Sequence, residues 1–228
     1  MLRDRIFANR SEAGRELAGR LKKLGLTRPI VYALPRGGAP VAAEVAAVLD
    51  APLDLVLVRK IGAPGQPELA VGAVVDGDEP EVVVNANVAS MTGATQAFID
   101  AARDRELQEI ERRRRLYLGD RRRPDPAGRD VVVVDDGLAT GATALAAVRA
   151  LKRRGAARVV LAVPVAPPES VTRLAREADE VVSLLTPEYF QSVGGWYADF
   201  HQLEDEEVTR LLDAAAKRMD AAAKKGDA

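Results

Sequence analysis

Residues 131–143 read VVVVDDGLATGAT, and they hold the densest chemistry in the chain. Four valines run into two adjacent carboxylates, Asp135 and Asp136. A turn from Thr140 through Gly141 and Ala142 to Thr143 then opens an Ala/Leu-rich stretch. The short apolar run predicts a strand buried on both faces of a parallel sheet. Acids just past its end would emerge at the carboxyl edge of that sheet, where open α/β sheets bind ligands. The turn offers backbone N–H groups and two hydroxyls at a helix N-terminus, a seat for phosphate. Paired acids beside a phosphate seat suit a ligand with vicinal hydroxyls and a phosphate, and a ribose 5-phosphate has both. The plainer alternative is a buried strand ending in an ordinary Asp-Asp-Gly turn. A P-loop is excluded, because no Lys precedes the Ser/Thr in a GxxxxGK[ST] frame.

Other residues could extend that chemistry. PRGG at 35–38 offers a cation, Arg36, and two glycines, Gly37 and Gly38. Arginine forks onto phosphate, and glycines let the backbone approach an anion. RKIGAPGQPEL at 59–69 has the composition of a mobile loop. A desolvated Lys60 or Arg59 there would stabilise charge on a departing anion, with Gly62, Pro64, Gly65 and Pro67 as hinges and stiff segments of a lid. The stretch 188–202 holds five of the nine aromatic residues. Trp196, Tyr197 and Phe190 are candidates to stack on a planar heterocycle, unless the cluster pins the C-terminal helix to the sheet. His201 is the single histidine. It excludes a His-rich metal site, no G-x-S-x-G elbow accompanies it, and a surface or interface role is expected. Arg112–Arg115 and Arg121–Arg123 form a basic run. Glu109→Arg113 and Glu111→Arg115 have favourable i,i+4 spacing, so a salt-bridged solvated helix is expected. Tyr117 alone interleaves the run, so nucleic-acid binding is not expected.

The elements that must position these groups alternate. Asn9 with Glu12 marks a helix start, with an apolar face at Ala13, Leu17, Leu21 and Leu24 that stops at Gly25. Strands are expected at 29–34, 53–58, 131–134, 158–166 and 181–185. Helices are expected over 39–49, from the Thr140–Thr143 turn to about 154, over 169–177 and over 204–225. Residues 71–75 and 81–84 predict a hairpin around DGDEP. A long helix over 92–118 interrupts the alternation. The fold class is therefore α/β, a parallel sheet flanked by helices. We expect a single domain over 1–228, with its core at about 29–84 and 129–187. Residues 85–128 form a helical insertion or cap, and an aromatic segment and helix occupy 188–228.

The bulk properties agree. A chain of 228 residues can bury roughly 70–75% of its unfolded surface, enough for a core without staples. There are no cysteines, which excludes thiol catalysis, thiolate metal sites and disulfides, and suits the cytosol. Lys+Arg total 33 against 34 Asp+Glu, so no global field favours nucleic acid or anionic membrane. MLRDRIFANR lacks an apolar signal region and no stretch reaches ~20 apolar residues, so a soluble cytoplasmic protein is expected.

VVVVDDGLATGAT resembles the phosphoribosyl-pyrophosphate (PRPP) motif of type I phosphoribosyltransferases. With ALPRGG, VRKIGAPG and WYADF, the chain is similar to bacterial proteins grouped only as predicted phosphoribosyltransferases. The resemblance implies displacement of pyrophosphate from C1′ of PRPP by a nitrogen nucleophile. It implies that Asp135 and Asp136 hold the ribose hydroxyls and order Mg²⁺ through water, the ion arriving with PRPP. Ala139, Thr140, Gly141, Ala142 and Thr143 would hold the 5′-phosphate. Arg36, Gly37 and Gly38 would hold pyrophosphate, with a cis peptide expected at Pro35–Arg36, and Lys60 with Arg59 would close over it. The aromatic segment lies where the family often stacks the base. Enzymes for 6-oxopurines carry Asp where this chain has Ala139, which argues against hypoxanthine and guanine without selecting adenine. The partners implied are PRPP, an unidentified nitrogen nucleophile and room for a homodimer, with no membrane. A non-catalytic PRPP or nucleotide sensor would keep the acids and phosphate loop without needing Lys60. An RNA-binding protein would use the arginine run.

Overall fold

The computed structural model describes residues 6–77, 80–119, 121 and 123–226. Asn9 caps helix α1 (Arg10–Leu21) by accepting from the Glu12 amide, and a 3-10 turn ends the segment at Gly25, φ 61°. Then come β1 (Ile30–Ala33), α2 (Gly38–Val48) and β2 (Leu53–Leu55). A second unit follows: β3 (Val58–Ala63), β4 (Gln66–Val75), β5 (Glu81–Val84), α3 (Ala86–Thr92) and α4 (Gln96–Leu118). The chain then returns through β6 (Asp130–Val134), α5 (Ala142–Arg153), β7 (Arg158–Val165), α6 (Pro168–Leu174), β8 (Glu180–Leu185) and α7 (Asp205–Gly226).

Five parallel strands form the main sheet in the order β2-β1-β6-β7-β8. β6 lies at its centre, with Val131 paired to Ile30 on one side and Val159 on the other. Successive side chains of a strand point to opposite faces. Val131 and Val133 therefore pack with α5, and Val132 and Val134 pack with α1 and α2. Both faces are covered, which is why the run is unbroken valine rather than alternating. The acids that follow are carried out at the carboxyl edge.

The second sheet is antiparallel, β3-β4-β5, and it corrects the reading of 59–69 as a loop. That stretch is the arm of a hairpin. Gly65 supplies the turn at φ 71°. A Cβ on Gly62 would meet the Pro67 carbonyl oxygen at 2.6 Å, so this glycine permits close strand approach at a register shift. Gly and Pro here build a bulged hairpin, which composition alone does not distinguish from a loop. The expected strand 53–58 likewise ends at Leu55, and Val58 opens the second sheet. The long helix expected over 92–118 begins instead at Gln96, because Gly93, φ 66°, ends α3 at Thr92. Buried Ile99, Ala102, Ile110 and Tyr117 of α4 join the core formed by α1, α2 and the main sheet. Asp78 and Glu79 of the DGDEP turn, and Arg122 of the arginine run, lie outside the described residues. No helix among the described residues is long and apolar enough to cross a membrane.

Candidate active site

Strand β6 delivers Asp135 and Asp136 to the edge where the loop after β1 also arrives. The two segments touch. A Cβ on Gly37 would overlap Asp136 Oδ2, and one on Gly38 would lie 2.6 Å from the Val134 carbonyl oxygen. Only glycine lets PRGG lie this close to the acids. The Pro35–Arg36 peptide is cis. Arg36 Nη1 reaches Asp205 Oδ1 of α7 at 3.5 Å, and the Tyr117 hydroxyl donates to the same carboxylate. Burial, then the bond to Asp205, pushes the Tyr117 phenol up to about 12.

Asp136 is buried and Asp135 half-buried. Arg10 Nε donates to Asp136 Oδ2 at 2.9 Å, and Asp135 Oδ1 accepts from the Asp136 amide at 2.9 Å. Burial holds both carboxyls above the ordinary carboxylate range. The charge of Asp136 raises Asp135 further, whereas Arg10 opposes the shift on Asp136. Nothing in the local sequence signals Arg10. It lies 126 positions from its partner, and a first-turn arginine reads as solvated.

On the other side of the acids, residues 137–141 turn into α5, whose first residue is Ala142. Gly141 takes φ 63°, and a Cβ there would also strike Leu174 Cδ1 at 2.8 Å. Ser170 Oγ donates to the Ala139 carbonyl at 2.6 Å, fastening the loop to α6. Ala139 and Thr140 are exposed. With Pro167, Arg173 and Phe190 they line a cavity of about 850 Å³. A loop of backbone N–H groups at the start of a 12-residue helix can seat a phosphate. The arrangement can therefore grip an anion at each end and polar hydroxyls between them.

The chain belongs to the phosphoribosyl transferase family. The phosphoribosyl transferase domain matches residues 3–199. Two Mycobacterium tuberculosis proteins that carry the name phosphoribosyl transferase as a provisional label are 47% identical over 211 residues, or 92% of this chain. The chain spans about half, 47%, of the length of these curated relatives. A crystal structure of TT1426 from Thermus thermophilus superposes with a TM-score of 0.78 at 45% identity, covering 91% of this chain and 97% of that one. The five-stranded parallel sheet flanked by helices is the α/β class expected of the chain.

The phosphoribosyl transferase fold separates the remaining candidates. Arg59 and Lys60 are neighbours on β3 and point to opposite faces. Arg59 Nε is engaged by Glu106 of α4 at 2.7 Å, so it is tied to the insertion. Lys60 is half-exposed, and among the described residues only Glu68 comes within ion-pair range, at 3.8 Å. It shares a cavity with Ala142 at the start of α5.

The aromatic segment requires a correction. Trp196 and Tyr197 are 9% and 6% exposed and pack with Phe7 and Val165. Tyr197 donates its hydroxyl to the Asp136 carbonyl, and burial followed by the nearby Asp136 charge pushes its phenol up. Tyr197 thus braces the acid motif and Trp196 packs in the adjoining apolar cluster, and neither ring offers a stacking face. Phe190 alone of the three lines the cavity that Ala139 and Thr140 also line.

His201 is exposed, with Nδ1 at 3.1 Å from Asp199 and Nε2 at 3.3 Å from Glu207. The arginine run is largely paired: Arg112 and Arg113 with Glu109, Arg115 with Glu111, and Arg121 with Asp213.

Proposed function

We propose that this chain transfers the phosphoribosyl group of PRPP to a nitrogen nucleophile and releases pyrophosphate. The observation that carries the reading is the contact of PRGG with the acid pair, on the same sheet edge as the phosphate loop. Three recognition elements then span a ligand with a phosphate, a diol and a pyrophosphate. Amides of Thr140–Thr143 hold the 5′-phosphate. The acids hold the diol. Arg36 with the amides of Gly37 and Gly38 holds pyrophosphate. Breaking the C1′–O bond sends its electron pair to pyrophosphate, and the acceptor lone pair forms the new C1′–N bond while its proton passes to solvent. Lys60 of β3 is the cation that would neutralise charge growing on the leaving group. Phe190 offers a face to a planar acceptor.

The donor set fits Mg²⁺ held mainly by substrate oxygens and water. Among the described residues no group of three His, Cys, Asp or Glu could cage a metal, and Asp135 carries no ion pair. Asp135 and Asp136 would hold the ion through water, and when bound it would neutralise pyrophosphate charge. A PRPP sensor would use the same acids and loop, and Lys60 separates the two readings. We expect saturable PRPP·Mg²⁺ binding by calorimetry. We also expect Lys60→Ala to keep that binding while pyrophosphate release, with an acceptor found by screening, falls about 10²–10³-fold. Turnover unchanged by Lys60→Ala would remove Lys60 from the mechanism, and no binding at millimolar PRPP would sink the transferase reading.

A further inference from the structure

The turn that would seat the 5′-phosphate carries no cation of its own. Residues 135–143 read DDGLATGAT, two acids and no base. A phosphomonoester brings about −1.5 to −2 charge at neutral pH, and acids beside it repel it. Helix α6 lies against the turn and offers what it lacks. Three side chains of one helix face, at i, i+3 and i+4, reach residues 139–141. Ser170 Oγ donates to the Ala139 carbonyl at 2.6 Å. Leu174 is fully buried, its Cδ1 2.8 Å from where a Cβ on Gly141 would stand. Arg173 places Nη2 3.6 Å from that same point. The first two fix the helix on the turn, so a fixed backbone carries the third to it. Arg173 is exposed and lines the cavity that Ala139 and Thr140 line. Glu169 precedes it by four residues, the spacing at which a helical acid captures an arginine. No such pair forms, and among the described residues Arg173 makes no ion pair or hydrogen bond. Nearby arginines differ: Arg149 is bonded to Glu177 and Arg158 to Glu180.

We propose that Arg173 binds the 5′-phosphate of the phosphoribosyl group and is a specificity-determining residue for a phosphorylated ribose. The inference rests on the transferase reading above and adds a side chain to the amides of Thr140–Thr143. Gly141 admits it: at φ 63° and without a Cβ, it lets α6 close on the turn. The planar fork can give two parallel N–H bonds to phosphate oxygens. Its charge offsets the nearby acids, so the monoester is bound as the dianion. Arg173 also stands in the last turn of α6, where a cation complements the helix dipole. That role alone would stabilise the helix and leave ligand affinity unchanged.

Arg173→Ala tests this, and the side chain is exposed, so its removal spares the core. Calorimetry should show PRPP·Mg²⁺ affinity about tenfold lower. Arg173→Glu, which reverses the sign, should lose more. Phosphorus NMR of bound PRPP·Mg²⁺ reads the two ends of the ligand apart, because the phosphomonoester and the diphosphate resonate separately. In the wild type the bound monoester should titrate below the value of about 6 that it has in solution. In Arg173→Ala its midpoint should rise towards that value, while the diphosphate signals stay in place. Equal affinity in the three proteins, or a monoester titration that Arg173→Ala leaves unmoved, would overturn the inference and leave the transferase reading intact. A lower melting temperature with unchanged affinity would assign Arg173 to the helix dipole alone and overturn it too. No binding by the wild-type chain would overturn both.

Discussion

Asp54 with Asp76 and Asp135 with Asp136 are two acid pairs, each with an arginine, and they are built to opposite ends. Asp54 and Asp76 surround Arg123, which bonds Asp54 at 3.0 Å through Nε and Asp76 at 2.6 Å through Nη1, and donates from Nη2 to the Leu55 carbonyl at 2.9 Å. Arg114 approaches Asp76 at 3.8 Å. Two acids thus face two arginines, and the pairing is complete. Asp135 and Asp136 share one arginine, bonded to only one of them. The first pair balances its charge internally and fastens the linker before β6 to β2 and the end of β4. The second leaves Asp135 at the sheet edge without an ion pair among the described residues, and burial beside Asp136 raises its carboxyl well above the ordinary range. Such a deficit is costly to fold and is what a diol or a hydrated cation relieves. Saturation of the carboxylates distinguishes the anchor from the pair proposed to face the ligand.

The largest effect that would sharpen this contrast is at the anchor. Arg123→Ala leaves two buried carboxylates without their main partner and should cost about 3–5 kcal/mol in urea unfolding. Burial already holds Asp76 above its ordinary value against the pull of Arg123, so losing the arginine drives it towards protonation. PRPP binding by the surviving folded fraction should be unchanged. A loss below about 1 kcal/mol would mean that the anchor is no more saturated than the ligand pair.

Gly37→Ala comes next, because it tests the contact that joins PRGG to the acids. Its Cβ would overlap Asp136 Oδ2, and that carboxylate is held by Arg10 and cannot swing away freely. The loop must shift, at a cost of about 1–3 kcal/mol, and PRPP affinity should fall with it. Full affinity in this variant would detach the loop from the site.

Much of this arrangement was legible in the sequence where side-chain type reports its own surroundings. Val131–Val134 must be covered on both faces, and acids followed by a Thr-Gly turn have few uses other than a ligand. The hairpin at 58–75 was not, because Gly62 and Gly65 read as hinges until the strand crossing them is known. The aromatic stretch was ambiguous for a related reason. Local spacing puts Phe190, Trp196 and Tyr197 in one segment but does not say that Tyr197 turns inward onto Asp136 while Phe190 faces the cavity. Arg10, Arg123 and their acids were invisible, since each pair is made by elements distant in the chain and neither arginine differs in context from solvated ones.

A smaller effect, of opposite sign, is expected at the ligand pair itself. Asp135→Asn keeps the shape and removes a desolvated carboxyl that has no ion-pair partner among the described residues. Without ligand the variant should be more stable than the wild type by about 0.5–2 kcal/mol, the pattern of a site that exchanges stability for function. Thermal melts without PRPP would read this directly. Destabilisation there would show that Asp135 is already satisfied inside the protein, and the contrast with Asp54 and Asp76 would collapse.

His201 should give the smallest effect, and it bounds the comparison from the solvent side. Its imidazole is exposed, and its value is raised first by the Asp199 bond and then by Glu207. Asp199 is lowered chiefly by its bond to His201. Glu207 is lowered first by the Glu204 amide, with His201 contributing. The signs fix a window. A raised histidine contributes stability that is fully present below its unfolded value, about 6.5, and lost as pH rises through the folded value. Lowered acids contribute stability present above about pH 4 and lost as pH falls through their folded values. Wild type minus His201→Gln should therefore show its largest difference in melting temperature between about pH 4 and 6.5. The difference should be about 1 °C, given full exposure and salt screening, and should fade on both sides. Because Arg10 holds the His201 carbonyl and not its ring, PRPP affinity should stay level across this window. Affinity that tracked the histidine would mean that the ring, and not only the backbone, communicates with Asp136.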